Sequence, residues 1–374
     1  MQLKTILALV ITCLLMACTN NVTGKVTQDN LFVIGGSFAL TGDGADWGND
    51  ELEAVRLAID EENARSSDVQ FILKVEDTHT DAKGTLSATE KLITQDAVHA
   101  IIGPTWGDSF GSIVAPIGEE HGIVQLSPSA ALEVPEDTEN YPHYFSTWYP
   151  QKPEIDAHMQ YLKENDLKRV VVIYDADPFN TKFASLYKRE AQKNSIDVVG
   201  SIAVPIDTQD FRTTLLKVKS LHPEVVLVEI FNVGQLGELL TQAKELDLDV
   251  VVMSTASAQT TTLLENYGTM VNGRLVYSYP RTDAQAYDVF VTLFTQRYGH
   301  TPRGSSAACA YDAARALMYA LRAARAAGEV DDELYRLHMP GTVVETLSFN
   351  ARGQIANAQF IMKTVQNNAF VELE

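Results

Sequence analysis

Short β-branched apolar runs alternate along the chain with longer segments of helical periodicity, in two successive series. Continuous apolar runs, of which residues 170–173 are the clearest, suit strands buried on both faces, as in a parallel sheet covered by helices. The sequence therefore predicts an α/β fold with two lobes, each built on an open parallel sheet. The strands are expected at residues 31–34, 69–75, 98–102 and 123–126 in the first series, and at 169–174, 198–204, 225–230, 250–253 and 275–277 in the second.

Two segments carry strong helix signals. In residues 49–63 the apolar side chains of Leu52, Val55 and Ile59 fall on one face. Acidic residues crowd the first turn of that segment, where the helix dipole favours negative charge. Residues 304–327 are dominated by alanine and other strong helix formers, so a long helix is expected there.

Segments rich in proline and aromatic residues mark the junctions between the two series. Residues 141–150 read Tyr-Pro-His-Tyr-Phe-Ser-Thr-Trp-Tyr-Pro, and we place a crossover there. A second junction is marked by Tyr279 and Pro280. After it come the long helical segment and one more apolar run at residues 360–365.

Composition excludes several classes of protein. Of the 374 residues, 45% are hydrophobic and 21% are charged, which is typical of globular proteins and not of disordered, collagen-like or polytopic membrane proteins. Lysine and arginine total 29 against 49 acidic residues, a formal charge of −20, so a nucleic-acid partner is not expected. The three cysteines, Cys13, Cys18 and Cys309, cannot form a disulfide framework. No Cys/His cluster has the spacing of a metal site, and no cofactor is expected.

The N-terminus predicts an export signal over residues 1–17. One positive charge at Lys4 precedes an apolar run that is too short for the ~20 residues of a membrane-spanning helix. The run ends in Leu-Met-Ala-Cys at residues 15–18, which resembles the lipobox of bacterial lipoproteins. That resemblance implies cleavage after Ala17 and acylation of Cys18. The alternative is an ordinary signal peptide cut near Ala17, with Cys18 incidental.

Membrane attachment would then depend on the acyl chains of Cys18. Removing the signal peptide removes one lysine, so the mature chain has 28 basic residues against 49 acidic ones, or −21. Such a chain is repelled by anionic lipid headgroups, and at least two acyl chains are needed for stable anchoring. Residues 18–28 are expected to form a flexible tether between the anchor and the folded part.

Short motifs occur in a fixed order along the chain. They are Gly-Gly-Ser-Phe-Ala-Leu-Thr-Gly at 35–42, Trp-Gly at 47–48, Leu-Ala-Ile-Asp-Glu-Glu-Asn at 57–63, Glu-Asp-Thr at 76–78, Ile-Gly-Pro at 102–104, Pro-Ile at 116–117, Gly-Ile-Val at 122–124, Ser-Pro-Ser-Ala at 127–130, Tyr-Asp-Ala at 311–313 and Ser-Phe-Asn-Ala-Arg-Gly at 348–353. No single motif is specific, but their order and spacing together are. From about residue 30 to 365 the chain resembles type I periplasmic solute-binding proteins, and especially the leucine/isoleucine/valine-binding proteins of ABC importers.

This resemblance implies two Rossmann-like lobes that are joined by three crossovers and close on a ligand in the cleft. Lobe one would comprise residues 29–146 plus 281–345, and lobe two residues 147–280 plus 346–374. The resemblance also implies an extracytoplasmic location, in the periplasm or at the cell surface. The partners would be a small-molecule ligand and the permease subunits of an ABC transporter, and the protein would not be an enzyme.

Six loops are candidates for the ligand site. In open α/β sheets, ligands bind beyond the carboxyl ends of the strands, where loops and helix N-termini offer unpaired N–H groups. Each loop could instead be a simple turn, because Ser109, Ser127 and Ser129 could cap helices, and Trp47 or Trp106 could cover a sheet edge. The loops are 39–48, 103–109 and 127–131 in lobe one, and 175–179, 231–232 and 254–257 in lobe two.

The residues of these loops indicate the ligand. The positions that grip an α-amino acid in this family fall on Gly107, Ala131 and Ala256, which lack two hydroxyls and an acid. An ammonium buried without a counter-charge is costly, so we predict an aromatic or otherwise apolar solute instead. Ser127 and Ser129, with nearby N–H groups, are expected to hold its polar head. The predicted ligand-binding residues are Trp47, Trp106, Gly107, Ser127, Ser129, Ala130, Phe179, Phe231 and Ala256.

Acidic residues in the same loops leave a second possibility open. Asp43, Asp46 and Asp108, together with ring faces, would suit a cation, whereas solvated acids or helix caps are the alternative interpretation. If an α-amino acid does bind, its counter-charge is sought among Asp108, Asp177 and Glu229.

Two other functions are considered. Gly-Asp-Ser-Phe-Gly at residues 107–111 matches the G-x-S-x-G nucleophile elbow, but six residues separate Ile102 from Ser109, whereas an elbow serine stands directly at the strand end. No P-loop or H-E-x-x-H motif occurs, so ATP hydrolysis would belong to a separate subunit. A ligand sensor or cell-wall regulatory lipoprotein on the same fold, without transport, is the alternative function.

Overall fold

The computed structural model describes residues 30–65, 68–106, 108–132, 141–230, 232–281, 284–324 and 330–373. The predicted signal peptide, Cys18 and the tether lie outside these residues, as do Gly107 and Phe231. Within the described residues, no helix combines the length and the apolarity needed to cross a bilayer.

Lobe one is built on a five-stranded parallel sheet with the order β2-β1-β3-β4-β5. Its strands are β1 (Leu31–Phe38), β2 (Gln70–Asp77), β3 (Ala100–Ile102), β4 (Gln125–Ser127) and β5 (Tyr144–Ser146), and the helices between them are α1 (Ala45–Arg65), α2 (Ala82–Thr94) and α3 (Asp108–His121). Parallel neighbours require crossover connections, and the helices that serve as crossovers cover the faces of the sheet.

Lobe two is built on a seven-stranded sheet with the order β14-β13-β10-β9-β8-β6-β7. Its strands are β6 (Arg169–Asp175), β7 (Asp197–Val204), β8 (Val225–Glu229), β9 (Val251–Ser254), β10 (Leu275–Pro280), β13 (Phe360–Gln366) and β14 (Ala369–Glu372). The helices are α4 (Gln151–Glu164), α5 (Pro178–Lys193), α6 (Arg212–Ser220), α7 (Val233–Glu245) and α8 (Thr261–Val271). Strands β6 to β10 are parallel, whereas β13 and β14 add an antiparallel edge.

After β10 the chain returns to lobe one. The returning elements are α9 (Ala284–Tyr298), α10 (Ser306–Ala324), α11 (Val330–Tyr335) and a short hairpin of β11 (Met339–Pro340) and β12 (Thr346–Leu347). Helix α10 packs along α1 and against β3 and β4. Its many buried alanines let it lie close to these neighbours at the centre of the lobe-one core.

The predicted fold class is confirmed: two α/β lobes, each on a mainly parallel sheet. The nine strands expected from apolar runs correspond to β1–β4 and β6–β10. The segment expected to contain a crossover holds β5 at its centre, followed by the link at residues 147–150. A second link follows Pro280.

The third link lies later than the sequence places it. Residues 346–374 are expected in lobe two, but Leu347, Phe349 and Ile355 are buried in the core of lobe one. The first residue that pairs with the lobe-two sheet is Phe360. The motif at 348–353 therefore closes lobe one, because the Phe349 ring packs edge-on against Phe145 of β5 before the chain crosses.

Candidate functional site

The carboxyl ends of both sheets lie at the boundary between the lobes. Strand β5 ends at Ser146, directly before the first link, and β10 ends at Pro280, directly before the second. Across this boundary α3 and α5 approach within 8 Å, Cα to Cα. The edge where open α/β sheets bind ligands is therefore the interlobe cleft for both lobes.

A row of aromatic rings runs from the cleft into the links. The ring of Trp47, in the first turn of α1, lies 5.6 Å from that of Trp148 in the first link. Trp148 lies 5.6 Å from Tyr149, and Tyr149 lies 5.5 Å from Phe360 at the end of the third link. These centroid distances are those of favourable ring pairs. Sequence reasoning did not select Trp148, although its proline- and aromatic-rich segment was recognised as a junction.

Trp106 borders the same part of lobe one. Its backbone adopts a φ of 57°, a left-handed conformation that is unusual for a bulky residue. The Trp106 N–H donates to Ser129 Oγ at 2.8 Å, which holds this conformation. A Cβ on Gly44 would lie 2.6 Å from the Trp106 ring, so only glycine leaves room for the ring at this loop. Strained residues held in this way cluster at binding sites.

The Ser127 hydroxyl is not available to a ligand, contrary to the sequence-based expectation. Ser127 Oγ donates to the Pro104 carbonyl at 2.7 Å and accepts from the N–H groups of Ala130 at 2.9 Å and Ser129 at 3.3 Å. These contacts use its donor and its acceptor positions inside the loop. Ser127 therefore fixes the shape of the loop, and the N–H of Ala130 is used in the same turn.

The Ser129 hydroxyl is likewise engaged, on the lobe-one side, with Glu51. Glu51 is fully buried in α1, and its Oε2 accepts from the Thr105 hydroxyl at 2.7 Å. Burial raises the pKa of Glu51 to about 8, an effect that hydrogen bonds from Ser129 and Thr105 partly oppose. Glu51 thus ties the loops after β3 and β4 to the first turns of α1.

In lobe two, the backbone N–H of Ala256, not its side chain, makes a polar contact at the strand ends. The Ala256 N–H donates to Glu154 Oε1 at 3.1 Å, and the Ser278 hydroxyl donates to the same oxygen at 2.6 Å. Glu154 comes from the first turn of α4, directly after the first link. Sequence reasoning missed Glu154 because the predicted ligand loops all follow strands. Phe179 is half-buried at the start of α5, next to Asp177, which caps that helix.

Glu229 lies at the carboxyl end of β8 and is almost fully buried. Burial, reinforced by the neighbouring Glu154 carboxylate, raises the pKa of Glu229 well above its ordinary value. From the sequence, Glu229 is expected only as one possible counter-charge for an α-amino acid. The structure places it beside Thr255, whose hydroxyl bonds to it.

One group of potential metal ligands lies in the described part of lobe one. Asp50, Glu53 and His300 bring ligand atoms within 4.8 Å of one another. However, Asp50 already accepts from Arg303 Nη1 at 2.6 Å and from the Arg303 N–H at 2.7 Å. Because a guanidinium neutralises the most buried acid, the group is an ion-pair network rather than a metal centre.

Gly107 and Phe231 lie outside the described residues, so their predicted roles stay predictions. Ser109 belongs to α3 rather than to a turn at the end of β3, which does not fit a nucleophile elbow.

Solved structures share this fold at low sequence identity. A leucine-binding protein from Thermotoga maritima has a TM-score of 0.79 at 19% identity, with 92% of this chain and 98% of that one covered. An ABC transporter solute-binding protein from R. palustris, in complex with benzoate, has 0.79 at 16% identity, with 92% and 95% covered. A substrate-binding protein from Desulfitobacterium hafniense, in complex with Leu, has 0.74 at 20% identity, with 92% and 100% covered. No functionally curated protein matches this sequence significantly.

A family model described as periplasmic binding protein matches residues 32–368, nearly the whole described chain. This confirms the resemblance indicated by the order of the sequence motifs. Proteins of this family are extracytoplasmic, bind small-molecule ligands, work with ABC transporter components and are not enzymes. The chain, with its two parallel-sheet lobes and its interlobe cleft, belongs to the periplasmic binding protein family.

Proposed function

We propose that the protein is a lipid-anchored binding protein of an ABC importer that captures a small organic solute with an aromatic or apolar body. The solute would bind between the lobes and be delivered to the permease subunits. Support for such a body comes from the rings of Trp47, Trp106 and Trp148, which lie in the segments after the carboxyl ends of β1, β3 and β5. Rings of this kind supply large contact area with little loss of conformational freedom.

Removing one of these rings is expected to weaken solute binding. Trp47→Ala should cost about 1 to 3 kcal/mol of binding free energy, the range for truncating a buried aromatic contact, or roughly 5- to 150-fold in affinity. The solute is first identified by a thermal-shift screen of a metabolite library, and its affinity is then measured by calorimetry. Tyr319→Ala is the control, because Tyr319 is an exposed aromatic residue of α10.

The control should bind like the wild type. Equal affinity of Trp47→Ala and the wild type would contradict the role of the ring. Micromolar binding of leucine, isoleucine or valine would instead show that the site recognises an ordinary amino acid.

Lipid anchoring gives an independent prediction. Radiolabelled palmitate supplied to expressing bacteria should label the wild type and not Cys18→Ala, because the Cys18 thiol is the expected acceptor of the lipid. Cys13→Ala is the matched control, since Cys13 lies in the same apolar run and should leave labelling intact. Labelling of Cys18→Ala at the wild-type level would show that the cysteine is incidental.

A further inference from the structure

The cleft loops carry charge of one sign only. The six loops at the strand ends contain five acidic residues and no lysine or arginine, and Glu229 is the last residue of the strand before one of them. The loop acids are Asp43, Asp46, Asp108, Asp175 and Asp177. An anionic solute would meet like charges from both lobes, and like-charge juxtaposition disfavours binding.

Among the described residues, Arg303 and Lys182 lie near these loops without belonging to them. Arg303 reaches the first turn of α1, where it pairs with Asp50 at 2.6 Å and with Asp46 at 3.8 Å. Lys182 lies in α5, five residues beyond the cap Asp177. The loops themselves therefore carry negative charge only.

In lobe two the acids converge on neighbouring strand ends. Glu229 ends β8 and pairs in register with Tyr174 of β6, so Asp175 follows one residue further along the neighbouring strand. Thr255 follows the end of β9, the next strand in the sheet, and its hydroxyl bonds to Glu229. Glu154 reaches the same place from the first turn of α4 and interacts electrostatically with Glu229.

Glu229 has one oxygen without a hydrogen-bond partner in the part of the chain that the structure describes. It is 2% exposed, and its Oε2 has no hydrogen-bond partner among the described residues. Asp177 differs, because its two oxygens accept from the Asn180 N–H at 2.9 Å and from Asn180 Nδ2 at 2.6 Å. A buried carboxyl group with an unsatisfied oxygen is costly until a donor or a counter-charge reaches it.

We propose, building on the function proposed above, that the solute is an organic cation without a carboxylate, an amine or a quaternary ammonium ion, whose charged nitrogen is bound by Glu229 and Glu154 of lobe two. The rings of Trp47 and Trp148 contact its apolar body from lobe one. Cations are attracted both by carboxylates and by ring faces, so the two lobes supply complementary parts of one site. A carboxylate on the solute would find no cation in the loops, and the Ser127 and Ser129 hydroxyls are engaged elsewhere.

The test compares probes that differ in the charge of the head group. The cations are 2-phenylethylamine, isopentylamine and choline, the neutral probe is 2-phenylethanol, the zwitterion is leucine and the anion is benzoate. Thermal shift of the purified full-length protein should show stabilisation by at least one cation and by it more than by the other probes. Calorimetry of that cation should then give about tenfold or greater loss of affinity in Glu229→Gln.

Two further variants make the result specific. Glu154→Gln should also weaken the cation, and it replaces Glu229→Gln if that variant does not fold. Glu245→Gln, at the exposed end of α7, should bind like the wild type. A panel in which no cation stabilises the protein, or in which cation affinity is unchanged in Glu229→Gln and Glu154→Gln, overturns the proposal.

Failure of this inference can be distinguished from failure of the proposed function. Preferred binding of benzoate or 2-phenylethanol that depends on Trp47 but not on Glu229 would support the proposed aromatic site and contradict the proposal that the solute is a cation. Cation binding that depends on Glu229 but not on Trp47 would support recognition of the solute's positive charge by Glu229. It would contradict the proposed contact between the solute and the Trp47 ring.

Discussion

Glu51→Gln is expected to make the protein progressively more stable than the wild type as pH rises. Burial raises the pKa of Glu51 from 4.5 to about 8, so between these values the folded protein keeps a proton that the unfolded chain has lost. The free energy of unfolding of the wild type therefore falls with rising pH in that window, by about 1.4 kcal/mol per pH unit for this group, or roughly 4 to 5 kcal/mol in all. Glutamine does not titrate, and it can still accept from Thr105.

Urea unfolding of both proteins at about pH 5 and about pH 8 measures this difference. The difference in the free energy of unfolding between Glu51→Gln and the wild type should be small at the lower pH. It should be several kcal/mol larger, in favour of the variant, at the higher pH. Glu120→Gln, at an exposed position of α3, is the control and should show the same difference from the wild type at both pH values. A pH-independent difference for Glu51→Gln would mean that Glu51 titrates alike in the folded and unfolded states.

Asp312→Ala is expected to destabilise lobe one by about 2 to 4 kcal/mol, because it leaves two buried N–H groups without an acceptor. Asp312 is fully buried in α10, and its Oδ2 accepts from the N–H groups of Thr342 at 2.6 Å and Val343 at 3.0 Å. Its Oδ1 pairs with Arg315 at 2.9 Å. The acid thus fastens the turn before β12 to the central helix.

The loss is measured by urea unfolding near neutral pH, and Asp312→Asn should lose less because it retains an acceptor oxygen. Asp332→Ala removes an acid from an exposed pair with Arg336 and should change stability by less than about 1 kcal/mol. If Asp312→Ala were no worse than Asp332→Ala, the turn would have to be held by its apolar contacts alone.

The sequence predicts the strands of this protein well because burial on both faces leaves long continuous apolar runs. The segment 170–173 is one example, and all four residues are fully buried in β6. The boundary at 345/346 is wrong because the family resemblance places a crossover without showing where apolar residues pack. Phe349 and Ile355 lie in the core of lobe one, which only the three-dimensional contacts reveal.

The candidate site is less predictable than the fold. Sequence position identifies the loop that contains Ser127, but not that its hydroxyl is consumed by the Pro104 carbonyl and by neighbouring N–H groups. Glu154 could not be found by looking after strands, because a helix brings it to the ends of β9 and β10. Side-chain hydrogen bonds between distant segments carry no periodic signal in the sequence.

The placement of the tryptophans has an optical consequence. The chain contains three tryptophans, and Trp47, Trp106 and Trp148 lie in the segments that follow the carboxyl ends of β1, β3 and β5. Indole emission from this protein therefore originates entirely at the carboxyl edge of the lobe-one sheet and the first link. The unmodified protein carries its own fluorescent reporter, and stopped-flow mixing can follow solute capture without any attached dye.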